Sequence, residues 1–565
     1  MHHAARTAFA LPIVTLLLGF AAIACTGDDP TACSGPACDA DAGKAGGFEL
    51  VAPADATILS GTVGSLDITV TRSGYEGAID VAVEGLPSNV SAGALTIAAG
   101  ATTGKLVLTA LPTAAHGKRP IKIVATDPAG TMRIDRASSL LVRGASGTID
   151  NSFGNAGRAE IVGGAGGFAL EALVVQDDGK VVASGTSEKN FVVARLDVDG
   201  KVDASFGTVG RAVANIRTVD PGEDLARAVA LGPGGKVVVA GYATIPNEYA
   251  VARFDAAGRP DAVFDGDGVF AKPHKNPTWN DELRASGVAV QPADGKVVVG
   301  GFATEFRGGV PVTRAVVFRL TDGGALDATF GPGTPDGWIR KQAQSPIDEI
   351  NDPADSSDDA CEAIAIAPDG KVLCAGWTES KGATPIRSFF VYRADSSGKD
   401  DTTFGLGSVA ALAYQPTNLP GTARSVHALA DGRVVVTGES DGKAVVVRLD
   451  AQGRTDASFA TTGIVKIDAL GTVTTEARSA IDREGRVLVV TSTGADNDIA
   501  LARVTDQGAV DTSFGENGRA ITKAVAKAGD KGGLSSARVA VQPDGRIVVA
   551  TSLDGQGIVV FRLWP

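Results

Sequence analysis

Asp150-Asn151-Ser152-Phe153-Gly154 is the phrase on which the fold turns. It returns as Asp203-Ala204-Ser205-Phe206-Gly207, Asp261-Ala262-Val263-Phe264-Asp265, Asp327-Ala328-Thr329-Phe330-Gly331 and Asp401-Thr402-Thr403-Phe404-Gly405. Two further copies are Asp456-Ala457-Ser458-Phe459-Ala460 and Asp511-Thr512-Ser513-Phe514-Gly515. Seven of the 20 Phe in the chain fill this one slot, which marks an internal structural repeat. A second phrase follows each time, as in Asp178-Gly179-Lys180-Val181-Val182, and its turn glycines are Gly179, Gly235, Gly295, Gly370, Gly432, Gly485 and Gly545. Asp-Gly between apolar runs predicts a tight hairpin, because glycine takes the positive φ the turn needs. The third phrase is an apolar strand with one arginine: Arg195, Arg253, Arg319, Arg393, Arg448, Arg503 and Arg562. Each unit then holds four short strands and no amphipathic helix pattern. One such sheet cannot bury both of its faces, whereas seven packed about an axis can. The expected fold is all-β, a seven-bladed β-propeller over residues 146–565.

These three phrases resemble the delta-60 repeat family, and the resemblance implies propeller blades of about 60 residues. Asp265 and Ala460 replace the usual Gly and Gly234 replaces the usual Asp, which predicts weaker single turns there. The chain ends on an arginine strand, Val559–Leu563, and the repeats begin with Arg158–Val162. The first strand is therefore expected to complete the last sheet and close the ring.

Spacing separates two faces. From the arginine to the next Phe the distance is 11 residues in every copy, as in Arg195 to Phe206 and Arg503 to Phe514. From Phe to the turn glycine it runs from 26 (Phe153 to Gly179) to 40 (Phe330 to Gly370). Successive connections of a meander alternate ends, so the variable connections share one face. The longest insertions are Ala271–Leu283, Thr304–Arg314, Lys341–Ala360 and Glu379–Arg387, in neighbouring units three and four. They carry His274, Trp279, Phe306 and Arg307, the candidate binding residues, since functional side chains concentrate on loops held by a rigid scaffold.

Ahead of the repeats, residues 46–145 alternate apolar and polar in segments such as Ser65–Val70 and Ala78–Val83, the pattern of half-buried strands. About seven such strands in roughly 100 residues predict an immunoglobulin-like β-sandwich, without the Cys-Trp-Cys pattern of antibody domains. Residues 1–24 read as a signal peptide: Arg6, an apolar run from Ala8, then Ala22-Ile23-Ala24 before Cys25. The end of this segment resembles a bacterial lipobox, with Ala22 where Leu is usual, and the resemblance implies that Cys25 carries lipid. Plain secretion is the alternative. Residues 25–45 are polar and turn-rich, as in a tether. Cys33 and Cys38 either close a small loop or stay free. Cys361 and Cys374 are either two buried thiols or a disulfide that needs a bulge, because a straight hairpin does not set them opposite each other.

Composition narrows the function. A net charge of −13 argues against nucleic acid. Seven equal copies of Asp and Arg are read as structural, since catalysis needs one site; the Asp fixes its turn by bonding nearby backbone N–H groups. The acids Asp348, Glu349, Asp352, Asp355, Asp358 and Asp359 match no EF-hand spacing and are read as a solvated loop. No cofactor, metal or catalytic residue is expected. The expectation is an exported monomer on the outer membrane or cell surface, lipid-anchored, that serves as a binding or structural scaffold for a surface protein or glycan. A hydrolase or lyase acting on extracellular polymers is the alternative; it needs polar residues converging near the axis or the variable face.

Overall fold

A computed structural model describes residues 46–163, 167–216, 222–244, 247–273, 282–307, 310–331, 338–341, 357–381, 385–405, 409–411, 419–473, 475–493, 498–523, 537–553 and 557–565. Cys25, Cys33, Cys38, His274, Trp279, Asp348, Glu349, Asp352 and Asp355 lie outside the described residues.

The described residues from 158 onward form seven four-stranded antiparallel sheets. Sheet one is Ala169–Val175, Val181–Ser187, Asn190–Leu196 and Arg211–Ala214, and sheets two to six repeat this meander. Sheet seven takes Arg538–Val541, Ile547–Leu553 and Gly557–Leu563 from the end of the chain and Arg158–Val162 from the start of the repeats. The expected pairing of the first and last strands is present, with Ile161 opposite Ile558.

Burial explains the sequence pattern. The second and third strands of each sheet are packed on both faces, so they read as unbroken apolar runs, such as Val237-Val238-Val239-Ala240. The fourth strand is half-buried and alternates, as in Arg211–Ala214. Seven apolar clusters fill the spaces between sheets in cyclic order, and one of them joins sheet seven to sheet one. Each cluster contains one Phe of the repeat: Phe153 between sheets seven and one, Phe206 between one and two, and so on to Phe514 between six and seven. The slot is occupied by Phe because it plugs a space between two sheets.

Residues 47–143 form two sheets of four and five strands over a single core that includes Ile68, Ile79, Leu106, Ile123 and Leu140. There are nine strands rather than about seven; the extra ones include the short Val90–Ala92 and the edge strand Asp55–Leu59, which pairs parallel with Ser139–Arg143. His116 joins this unit to sheet seven. Its Nδ1 accepts from the Asn151 N–H at 3.2 Å and from Trp564 Nε1 at 3.2 Å, and Asp150 Oδ1 lies 3.8 Å away. Burial lowers the imidazole below its ordinary range, against the opposing pull of Asp150.

Candidate functional site

The most numerous polar groups at the sheet boundaries are the recurrent charged residues. In all seven copies the arginine Nε donates to the repeat aspartate at 2.7–2.9 Å: Arg195 to Asp203, Arg253 to Asp261, Arg319 to Asp327, Arg393 to Asp401, Arg448 to Asp456, Arg503 to Asp511 and Arg562 to Asp150. The same guanidinium lies over the repeat Phe, 4.3 Å from the ring centre for Arg393 over Phe404 and 4.8 Å for Arg562 over Phe153. The other aspartate oxygen caps the turn, as when Asp327 Oδ1 accepts from the Thr329 N–H at 3.0 Å. In five copies arginine Nη1 also crosses to the next unit, as from Arg195 to the Ala256 carbonyl at 2.9 Å and from Arg319 to the Ser396 carbonyl at 2.6 Å. Burial would raise the Asp203 carboxyl, but bonds from Ser205 and the charges of Arg195 and Lys180 outweigh it and hold it at about 2. These groups bond within their own unit and, in five copies, to the next one.

A backbone bond runs alongside each strut. The residue after the Phe donates its N–H to the next unit, as Gly207 does to Ala257 and Ala460 does to Gln507. It adopts positive φ: 55° at Gly207, and still 49° at Asp265 and 50° at Ala460. The two replacements keep the turn and carry its strain instead of loosening it. The following unit answers with a glycine: a Cβ at Gly453 would stand 2.9 Å from Gly405 N and 3.0 Å from the Phe404 ring.

Among the described residues, parts of the long insertions lie in strands. Most of Thr304–Arg314 is a continuation of two strands: Val297–Arg307 pairs with Val310–Leu320, and Arg307 stands opposite Val310 at the tip. Phe306 and Arg307 thus sit at the end of a hairpin. Asp358 and Asp359 belong to the strand Ser357–Ile366 rather than to a solvated loop. Asp358 Oδ1 accepts from the Thr313 N–H at 2.7 Å, and Asp359 is buried with Ser357 Oγ 3.0 Å from its Oδ2. Cys361 and Cys374 are bonded, with Cα atoms 5.6 Å apart. A bulge lies between Cys361 and Ala363, and the bond runs diagonally, with Cys361 opposite Gly376 and Cys374 opposite Ile364. Among the described residues no group of three or more His, Cys, Asp or Glu is placed to hold a metal ion.

The polar convergence that sequence reasoning missed lies on the axis. The first strand of each sheet faces the centre, and in sheets one to five its ladder breaks at one residue: Glu171, Arg227, Ser286, Glu362 and Arg424. A bulge re-aims the side chain of the extra residue. In sheets six and seven the ladder begins at Arg478 and Arg538. These residues, except the neutral Ser286, supply the charges of a cavity of about 180 Å³, whose wall also carries Ser425, His427, Ser479 and apolar groups such as Val229 and Val288. Arg227 pairs with Glu171 at 3.2 Å. Arg424 pairs with Glu439 at 2.8 Å, and both Arg478 (2.9 Å) and Arg424 (3.5 Å) reach Glu476. Arg538 stands 3.6 Å from both Glu171 and Glu476. Burial would raise Glu476, but Arg478, Arg538 and Arg424 hold it well below the carboxylate range. Burial pulls Arg538 down to about 10. His427 Nε2 lies 3.0 Å from Ser479 Oγ, and burial pushes the imidazole down to about 4. A signal existed in the sequence: a charged residue stands seven or eight positions before the turn glycine in six of the seven copies.

Two other hollows lie at the turn ends of the inner strands, about 330 and 550 Å³. The charged residues of the first include Arg253 and Asp322, which pair with each other at 2.7 Å. They converge less chemistry than the axial cavity does.

A family described as a domain of unknown function (DUF5122) beta-propeller matches residues 176–206, 233–264, 293–330 and 429–459. Each match starts shortly before a turn glycine and ends on a Phe of the repeat. No curated protein matches the chain. Among solved structures, the crystal structure of the YadV chaperone aligns at 8% identity over 40% of this chain and 99% of that one, with a TM-score of 0.14, an overlap too loose to inform the fold. The matched repeats and the all-β architecture together fit a β-propeller family.

Proposed function

We propose that this chain is an exported, lipid-anchored surface protein that acts as a binding scaffold. In this reading the seven sheets are the blades of one propeller. The cyclic order of the apolar clusters and the ladder between Arg158–Val162 and Gly557–Leu563 support it. Residues 46–145 are an immunoglobulin-like module, a reading supported by two sheets over one core. Cys25 and the 25–45 tether hold both parts off the membrane.

The observation that carries the functional reading is the hairpin of sheet three. Its strands are 11 residues each, against seven in the corresponding strands of sheet one. The extra length projects from the variable face and ends on Phe306 and Arg307. A two-stranded ladder carries these residues more rigidly than a loop, which lowers the ordering cost of binding a surface protein or glycan. Shortening this hairpin to the length found in sheet one should abolish capture of surface partners in side-by-side pull-downs with the full chain, at unchanged melting temperature. Equal capture by both chains would refute the reading. Cys25→Ser should move the protein from the membrane to the soluble fraction.

A further inference from the structure

The first unit and the sheets are joined through one imidazole. Among the described residues, every hydrogen bond between residues 46–143 and residues 149–565 is made by His116. Its backbone N–H donates to Asn151 Oδ1 at 3.0 Å, and its Nδ1 accepts both the Asn151 N–H and the Trp564 indole N–H. The connecting segment is held separately. The Gly147 N–H donates to the Trp564 carbonyl and the Trp564 N–H to the Thr148 carbonyl, both at 2.9 Å. Those backbone bonds do not titrate, whereas the imidazole does.

The two donors fix the proton. A ring nitrogen that accepts hydrogen bonds carries no hydrogen, so the proton of neutral His116 is on Nε2, which stands 3.3 Å from Ser60 Oγ. A second proton has only Nδ1 to go to. There it would face two N–H groups, and both bonds would be lost. The ring is 7% exposed, so a charge on it is also poorly hydrated.

Neighbouring charges do not compensate. Asp150 Oδ1 lies 3.8 Å from Nδ1, but its carboxylate already faces Arg562 at 2.8 Å and Arg546 at 3.3 Å. Arg546, which also pairs with Asp544 at 3.2 Å, lies over the Trp564 ring and repels an imidazolium. On the side of the first unit Ser60 is neutral, Lys118 pairs with Asp55 at 2.7 Å, and Arg143 donates to the Gly144 carbonyl at 3.4 Å. Burial and Arg546 outweigh Asp150, so His116 in the joint binds a proton less readily than a free imidazole of ordinary 6.5. The joined state is therefore fully favoured above 6.5, and that advantage is lost as pH falls from there towards the depressed value.

We propose that His116 is a proton-operated latch: protonation at Nδ1 releases residues 46–143 from sheet seven, while the segment 144–148 stays tied to Trp564. The latch does not depend on the role of the sheet-three hairpin.

Hydrogen–deuterium exchange of the full chain between about pH 7.5 and about pH 4.5, corrected for the intrinsic pH dependence of exchange, tests it. Peptides covering 114–118 and 149–153 should exchange at least about tenfold faster at the acid end, while the inner strand Lys236–Thr244 keeps its protection. His116→Gln does not titrate, so its exchange at the joint should differ little between the two ends, whether the joint is closed or open in it. Equal protection of the wild-type joint across the range would overturn the proposal. So would an acid-induced loss in His116→Gln as large as in the wild type.

Discussion

His427 offers a direct test of how the axial strands are solvated. It occupies a position held by Val174 in sheet one and by Ala230, Ala365, Ala480 and Ala540 in four others, so an imidazole stands where the fold elsewhere places a small apolar group. Burial pushes it from an ordinary 6.5 to about 4. Between these two values the unfolded chain binds a proton that the folded chain refuses. Stability therefore rises with pH across this window and is lost as pH falls from 6.5 towards 4. A tenfold change in proton affinity corresponds to about 1.4 kcal/mol, so at about pH 4.5 the penalty is on the order of 2 to 3 kcal/mol. His427→Val should remove it. The assay is urea denaturation of both chains at about pH 7.5 and about pH 4.5, read as the difference between them so that other titrating groups cancel. The wild type should lose on the order of 2 to 3 kcal/mol more than the variant on acidification. Parallel losses in the two chains would mean that His427 is solvated from the channel and that the axial wall is wetter than its packing implies.

Four further outcomes rest on the struts, turns and cross-links. Asp327→Ala leaves the buried Arg319 without its carboxylate and should cost about 3–5 kcal/mol in denaturant unfolding. Ala460→Gly relieves a non-glycine residue at φ 50° and should raise stability by about 1 kcal/mol, visible as a higher melting temperature. Reducing the Cys361–Cys374 bond, which spans 13 residues, should cost about 3 kcal/mol, and thiol counting in denaturant before reduction should find both sulfurs unreactive. Deleting residues 148–163 removes Phe153, Ile161 and the closing strand; Phe153→Ala alone should cost about 3–5 kcal/mol, and the deletion should lower the melting temperature further.

Much of the architecture was written along the chain. Asp-Gly turns, apolar runs and the fixed step of 11 residues from arginine to Phe are local signals, and they repeat often enough to show seven units and a closing strand. Turn chemistry acts over four or five residues, so Gly179 and its counterparts could be read without coordinates. The turn bonds of the repeat Asp were legible for the same reason, although the Arg partners across the sheet boundary were not. Backbone conformation proved more tolerant than the residue type suggested, since Asp265 and Ala460 hold the same positive φ as the glycines they replace.

Other features depend on residues that meet only once the sheets have packed. Glu171 and Arg538 are 367 positions apart, yet the Arg538 side chain donates to the Glu171 carbonyl. His116 and Trp564 are separated by 448 positions and join the first unit to the last sheet. No periodicity predicts such meetings, because an alternating strand pattern does not say which residue a bulge will turn towards the axis. Short-range turn geometry and the burial pattern, both carried in the order of residues, were enough to set the strands of the repeats. That charges from six units surround one cavity was settled by the folded ring alone, because the distance between them depends on how the sheets pack about a common centre.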